Sequence, residues 1–420
     1  MWPRREFLKT AAGLAAGRAA WPAQARSPNV LFLLASQLRS PALEMDGGSD
    51  LRTPNLELLA KQGTRFDRLY AACPVGSPSR AALITGRYPF SSGVIRDAVR
   101  LAVDQPSIAE LLKSAGYETG FIGQWFLDGF QERDGVPPGP RRHGFHYWAE
   151  APVGAEGLES GNQTGLTINF LKQNRQNPFY LFLSWGPAPR PKVNGRPSVH
   201  LRANVPPGYK PDHLASYYAM YSALDDSLGR LMRALDEQHL TEDTIVVFTS
   251  DYGDMLGSHG LEGANLPFEE SVRVPLVIRY PRQMEAGRRH EFPLSNVDLM
   301  PTLLSLCGVP SPDGTQGQDL SALLTSGQGP HPESVYCLGK LGAAAEWRML
   351  VRALDKLVVD RDLNVTHLYN LAPDPYEMKN LAQDATQELK RDALKALLKD
   401  WMRRTADRTD PSGLKKRLHD

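Results

Sequence analysis

A chain of 420 residues with 41% apolar and 23% charged residues can bury the core of one large α/β domain and of a smaller one. Its net charge of +1 argues against a nucleic-acid-binding surface or an acidic tail. Cys73, Cys307 and Cys337 are odd in number and widely spaced, which excludes a disulfide framework or a metal knuckle; they read as buried small hydrophobes.

From the N-terminus, Arg4-Arg5-Glu6-Phe7-Leu8-Lys9 fits a twin-arginine export signal. An Ala/Gly-rich segment interrupted by Arg18 follows, and then the triplet Ala23-Gln24-Ala25. Residues 1–25 are therefore read as a signal peptide, and the mature protein as bacterial and periplasmic or extracellular. The alternative is a basic amphipathic N-terminal helix. No run of 18 apolar residues follows, so the mature chain is not expected to span a membrane.

Asn29 to Ala35 is a continuous apolar run, as a strand buried on both faces requires. Thr53-Pro54 opens a helix, with Thr as N-cap and Pro in the first turn. A strand around Phe66 to Ala72 leads into GSPSRAALITGRYP, beginning at Gly76. There Pro78 presets φ, Ser79 is expected to cap the first amides, and Gly86 ends a short helical run. The free N–H groups of a helix start and the planar fork of Arg80 suit an anion, although the stretch also reads as an ordinary helix start.

Ser107-x-x-Glu110 is a capping box for a helix that stops at Gly116. A strand from Glu118 to Gly123 ends in Gln124-Trp125-Phe126-Leu127, and the buried strand Phe179 to Trp185 precedes a proline-rich run that includes Pro189. A long amphipathic helix is expected over 212–237, and the strand Thr244 to Thr249 ends in Ser250-Asp251-Tyr252-Gly253-Asp254. The Gly/Pro/Ser-rich stretch at 326–332 divides a main domain, 26–328, from a C-terminal subdomain, 329–420. In the latter, four short alternating segments and a closing helix over 386–404 predict a small antiparallel α+β unit. The alternation of strands and helices predicts an α/β fold with a mostly parallel central sheet flanked by helices. Ligand sites in such sheets lie beyond the carboxyl ends of the strands, so Gln37, Gly76, Gln124 and Asp251 should converge.

The stretch at Gly76 closely resembles the signature of the type I sulfatases, in which a Cys or Ser followed by x-P-S-R is oxidised to a formylglycine. Ser77, Pro78, Ser79, Arg80, Leu83 (one position early), Thr85, Gly86 and Arg87 fit that pattern, while Gly76 stands at the nucleophile position and has no side-chain carbon to oxidise. The resemblance covers nearly the whole mature chain and implies the alkaline-phosphatase-like fold. It also implies calcium ligated after the first strand, where Ser36 and Gln37 replace two aspartates, and at Asp251 and Tyr252, where only the aspartate is kept. Gln124 and Phe126 replace a lysine and a histidine, Pro189, or Arg190 on a one-residue slip, falls at a further histidine, and Ala264 at a lysine.

A degenerate site without calcium or formylglycine is the expectation. The ligand-binding candidates are Arg80, Ser77, Gln124, Trp125 and Tyr252, although Trp125 is better read as a core aromatic. The implied ligand is a sulfated or other anionic glycan, and with the cation gone Arg80 is expected to reach Asp251. The alternatives are an active sulfate or phosphate ester hydrolase using Ser77, Cys73 or Tyr252, and a structural partner of an active sulfatase.

Overall fold

The computed structural model describes residues 27–40, 51–129, 139–149, 159–173, 176–186, 201–208 and 214–407. The expected signal peptide and Pro189 lie outside them. The main sheet contains β1 (Asn29–Ala35), β2 (Thr64–Tyr70), β3 (Glu118–Gly123), β4 (Tyr147–Ala149), β5 (Phe179–Trp185), β6 (Thr244–Thr249), β7 (Arg273–Arg279), β8 (Arg288–His290) and β9 (Leu294–Ser295). Its order is β4-β3-β5-β1-β6-β7-β2-β8, with β9 also on β2. The β1 strand is parallel to both β5 and β6, and β3 is parallel to β4 and β5. The exception is β7, which runs antiparallel to β6 and β2.

The apolar strands are explained by burial on both faces. Val30, Phe32 and Leu34 of β1 pack into one core layer, and Leu31, Leu33 and Ala35 into the other. The Leu214–Glu237 helix covers the second layer with Tyr217, Tyr221, Leu224, Leu228 and Leu231, the stripe its 3.6-residue period requires. The Ile108–Ser114 helix, with its Ser107–Glu110 capping box formed, packs on the first layer. The β2 strand lies two residues earlier than expected. Ala71 and Ala72 leave the ladder, their N–H groups donating to the Val272 carbonyl at 2.8 Å and to Asn296 Oδ1 at 3.0 Å.

A second sheet is antiparallel throughout, with β10 (Ser334–Gly339), β11 (Trp347–Arg352), β12 (Asp355–Asp360) and β13 (Val365–Asn370) in chain order. The Glu388–Arg404 helix closes it with Leu394, Leu398 and Met402 against Tyr336, Leu350 and Val359. No helix among the described residues is long and apolar enough to cross a membrane.

The two sheets meet at a buried charge cluster. Lys356 Nζ on β12 lies 3.1 Å from Glu269 Oε1 and 2.6 Å from Glu377 Oε1, and the Glu269 N–H donates to Glu377 Oε2 at 2.8 Å. Burial alone would lower the Lys356 ammonium, but the Glu377 and Glu269 carboxylates outweigh it and raise the group. Glu377 is pushed up by burial and by Glu269 and Glu270, against the pull of Lys356. Replacing Lys356 by Met leaves acidic groups buried without their cation, which typically costs about 3–5 kcal/mol; urea denaturation of Lys356→Met is expected to show a loss of that order.

The Glu377→Gln change should act differently. The folded pKa of Glu377 lies above its ordinary 4.5, so the folded state keeps a proton that the unfolded state releases. Stability from this group therefore falls as pH rises from the ordinary value through the raised one. Glu377→Gln, which keeps the neutral form, should flatten that slope in a pH series of denaturation midpoints.

Candidate active site

Because β1 is hydrogen-bonded to β6 and β5, and β5 to β3, their carboxyl ends bring Ser36 and Gln37, Asp251, Ser184 and Gln124 to one edge of the sheet. The Gly76–Thr85 helix stands over that edge. Pro78 sits in its first turn, where a missing N–H leaves no intrahelical bond unmade, and Gly86 ends it in the left-handed conformation with φ 62°. Ser79 is not the cap. It lies inside the helix, its Oγ donating to the Asp251 carbonyl at 2.5 Å and accepting from Asn296 Nδ2 at 2.9 Å. The role of satisfying the helix start falls to Asp97, whose Oδ1 accepts from the Ser77 N–H at 2.8 Å. That same oxygen would stand 3.0 Å from a Cβ added at Gly76.

Arg80 is 2% exposed and Asp251 0%. The guanidinium meets Asp251 Oδ2 from Nε at 3.2 Å and from Nη2 at 3.1 Å. Nη1 donates to the Gln124 carbonyl at 2.5 Å and to Ser184 Oγ at 2.6 Å, and the Phe126 ring covers the guanidinium carbon at 4.7 Å. Asp251 Oδ2 also accepts from Ser36 Oγ at 2.9 Å. Its Oδ1 accepts from the N–H groups of Gln37 at 2.9 Å and of Tyr252 at 3.0 Å. Every lone-pair direction of this carboxylate therefore faces a protein donor, and most of the arginine donors face protein acceptors. Gln37 Nε2 donates to the Tyr252 hydroxyl at 3.0 Å.

Arg80, Asp251, Ser36, Gln37, Gln124, Phe126 and Tyr252 are thus brought together. Trp125 is not part of this group. It is buried, with its ring 5.1 Å from Phe121, 5.3 Å from Trp148 and 5.8 Å from Phe145, so it belongs to the core, as its apolar context suggests. Ser77 Oγ donates to the Phe126 carbonyl at 2.6 Å. Ala264 lies in a loop tied to the segment before Gly76 by the Asn265 N–H on the Pro74 carbonyl at 3.1 Å. His259 stacks on Phe268 at 4.2 Å with its Nε2 3.1 Å from Asn204 Nδ2.

Two of the alternative nucleophiles are disfavoured as anions by their surroundings. The Cys73 thiol is pushed well up by burial and by Asp97, and the Tyr252 hydroxyl by burial and by Asp251. Three contributors are absent from the sequence reading: Ser184, Asn296 and Asp97. Ser184 is the one hydroxyl in the apolar run FYLFLSW, which is a usable signal. Asp97 lies in an irregular segment and carries none.

With this geometry established, similarity to known proteins adds the family. Residues 28–309 match the sulfatase family model, and residues 257–404 match that of the N-sulphoglucosamine sulphohydrolase C-terminal region. The chain belongs to the sulfatase family. It is 31% identical over 342 residues to an ulvan-active sulfatase of Formosa agariphila, covering 73% of this chain and 66% of that one. It is 25% identical to the N-acetylglucosamine-6-O-sulfatase of Bacteroides thetaiotaomicron, covering 92% and 88% respectively. A structure of a protein held with its substrate D-glucosamine-2-N,6-O-disulfate superposes with a TM-score of 0.77 at 23% identity, covering 92% of this chain and 99% of that one.

The Arg80–Asp251 contact sets a thermodynamic expectation. Either Arg80→Leu or Asp251→Leu leaves a buried charge unpaired, a loss of about 3–5 kcal/mol, while the double change is expected to cost clearly less than the sum. A double-mutant cycle by chemical denaturation measures the coupling, and additive losses would contradict a direct pair.

Proposed function

We propose that this chain is a sulfatase-family protein that does not hydrolyse sulfate esters. The observation that carries this reading is the closed ion pair at the place where the family's chemistry would occur. Calcium takes six to eight oxygen ligands and its affinity falls as ligand charge is removed. Of the family's ligand positions Asp251 alone keeps a carboxylate, and its oxygens already accept from Arg80, Ser36, Gln37 and Tyr252, while the nearby Asp97 is taken by the Ser77 N–H. The residues present therefore do not fit the family's calcium.

Gly76 offers no carbon for a formylglycine, and Gln124 and Phe126 supply neither the charge nor the proton transfer of a lysine and a histidine. A lost general acid or base alone typically costs a factor of about 10² to 10⁴. The active-hydrolase alternative would need Ser77, Cys73 or Tyr252. Ser77 donates its hydroxyl proton to a backbone carbonyl, and the other two are held protonated by burial.

For a ligand we propose a sulfated or other anionic glycan, by analogy with the relatives named for ulvan and for N-acetylglucosamine sulfate. Arg80 is not the residue that would hold it, because its charge is paired with Asp251 and its Nε and Nη1 donors are taken within the protein. The leader sequence supports export through the twin-arginine route to the periplasm or cell surface. A role as structural partner of an active sulfatase is compatible with the same closed site.

The test is turnover. Purified protein supplied with calcium, magnesium, manganese or zinc is expected to show no hydrolysis of aryl sulfate or aryl phosphate above buffer. Gly76→Cys, produced with a formylglycine-generating enzyme, is expected to remain inactive even where mass spectrometry shows the cysteine oxidised, because the cation and the proton carriers are still missing. Metal-dependent turnover by the wild type, or robust activity from the single change, would overturn the reading.

A further inference from the structure

Arg68, on β2, is 6% exposed, and among the described residues it forms no ion pair. The hydrogen bond it makes among them is from Nη2 to the Tyr70 hydroxyl at 3.3 Å. Glu269, which would be the natural counter-ion, is held by Lys356 at 3.1 Å and by the Tyr70 hydroxyl at 3.1 Å. A guanidinium carries five N–H donors, and among the described residues most of those of Arg68 meet no protein acceptor and are open to the cavity that it lines.

What Arg68 faces is a cavity of about 700 Å³ between the main sheet and the turn from β11 to β12. This falls within the range of small-molecule sites, and it is larger than a bare anion needs. Three further arginines line it. Arg273 donates from Nε to the Asp67 carbonyl at 2.6 Å, Arg289 is held by Asp67 and by Glu291, and Arg352 at the rim stands 3.8 Å from Glu333. The acidic rim groups Glu291 and Glu333 are 70% and 82% exposed, while the buried Asp67 and Glu269 that also line the cavity are engaged by Arg289 and by Lys356 and Arg273, so Arg68 is the enclosed cation there without a carboxylate in contact among the described residues. One wall is flat: Phe292 and His331 stack with ring centroids 4.4 Å apart and planes 19° from parallel.

We propose that this cavity is a second ligand site, which takes a sugar-sized ring bearing a sulfate or carboxylate, with Arg68 as its buried anchor. A tetrahedral sulfate or a planar carboxylate matches the guanidinium fork, and the Phe292–His331 wall gives a ring face something to lie against. Arg352 closes on the anion from the rim. None of the residues of the Arg80–Asp251 cluster lines the cavity. The ligand class rests on the glycan reading above, but the location does not depend on whether the central site turns over.

Isothermal titration at fixed ionic strength, with N-acetylglucosamine 6-sulfate, glucuronate, inorganic sulfate and uncharged N-acetylglucosamine as probes, decides the matter. The expected result is saturable binding of at least one of the two charged sugars, with the uncharged sugar and inorganic sulfate each weaker. A stronger response to the sulfated sugar or to glucuronate identifies the anion. Arg68→Gln should weaken binding by about tenfold or more, the loss of charge-assisted hydrogen bonds. Arg352→Ala, at an exposed rim position that leaves folding intact, should weaken it severalfold, while Tyr252→Phe should leave it unchanged.

Absence of binding by every probe overturns the proposal, and so does binding insensitive to both Arg68→Gln and Arg352→Ala. Binding lost in Tyr252→Phe would move the ligand to the central site, which keeps the glycan reading and rejects this location. If Arg68→Gln fails to fold, the Arg352→Ala and Tyr252→Phe pair still separates the two sites.

Discussion

One buried carboxylate ties the end of the parallel sheet together. Asp251, at the end of β6, accepts hydrogen bonds from the chain leaving β1 at Ser36 and Gln37. Through Arg80 it reaches the ends of β3 and β5 at Gln124 and Ser184. A charge in this position must be compensated, because an isolated carboxylate in a low-dielectric interior is strongly disfavoured. Here the compensation comes from a fixed guanidinium inside the chain, so the helix starting at Gly76 is fastened to the sheet rather than poised over an open site. Asp97 completes the closure by supplying the helix start with an internal anion at Ser77.

The sheet's central strands were legible because burial on both faces demands uninterrupted apolar residues, and β1, β5 and β6 carry them. The capping box at Ser107 and Glu110 was legible because the two side chains and two backbone groups that form it lie within one turn. Asp251 and Arg80 could be paired in advance because each lies just past a strand end or at a helix start, and neighbouring strand ends meet. Ser79 was misread as a cap, since its local spacing suits that role equally well; only the approach of Asn296 and the Asp251 carbonyl decides otherwise. The antiparallel insertion of β7 between β6 and β2 and the role of Asp97 depend on long-range placement that no local pattern encodes.

The seam between the two sheets repeats the theme with a different outcome. Lys356 is surrounded by acceptors, with Glu269 and Glu377 in direct contact, and it joins the sheets. Arg68, a short distance along the same interface, is buried without an equivalent partner and borders an open cavity. Within one fold, then, Lys356 joins the two sheets, Arg80 pairs with Asp251 at the carboxyl ends of the strands, and Arg68 has donors facing a cavity.

The central claim is that Arg80 has taken the place of a divalent cation at Asp251. Calorimetric titration of calcium into the purified protein near neutral pH tests it most directly. The account predicts no saturable heat at sub-millimolar calcium and no accompanying rise in melting temperature. A one-per-chain site with sub-millimolar affinity, abolished in Asp251→Asn and stabilising the fold by several degrees, would contradict it.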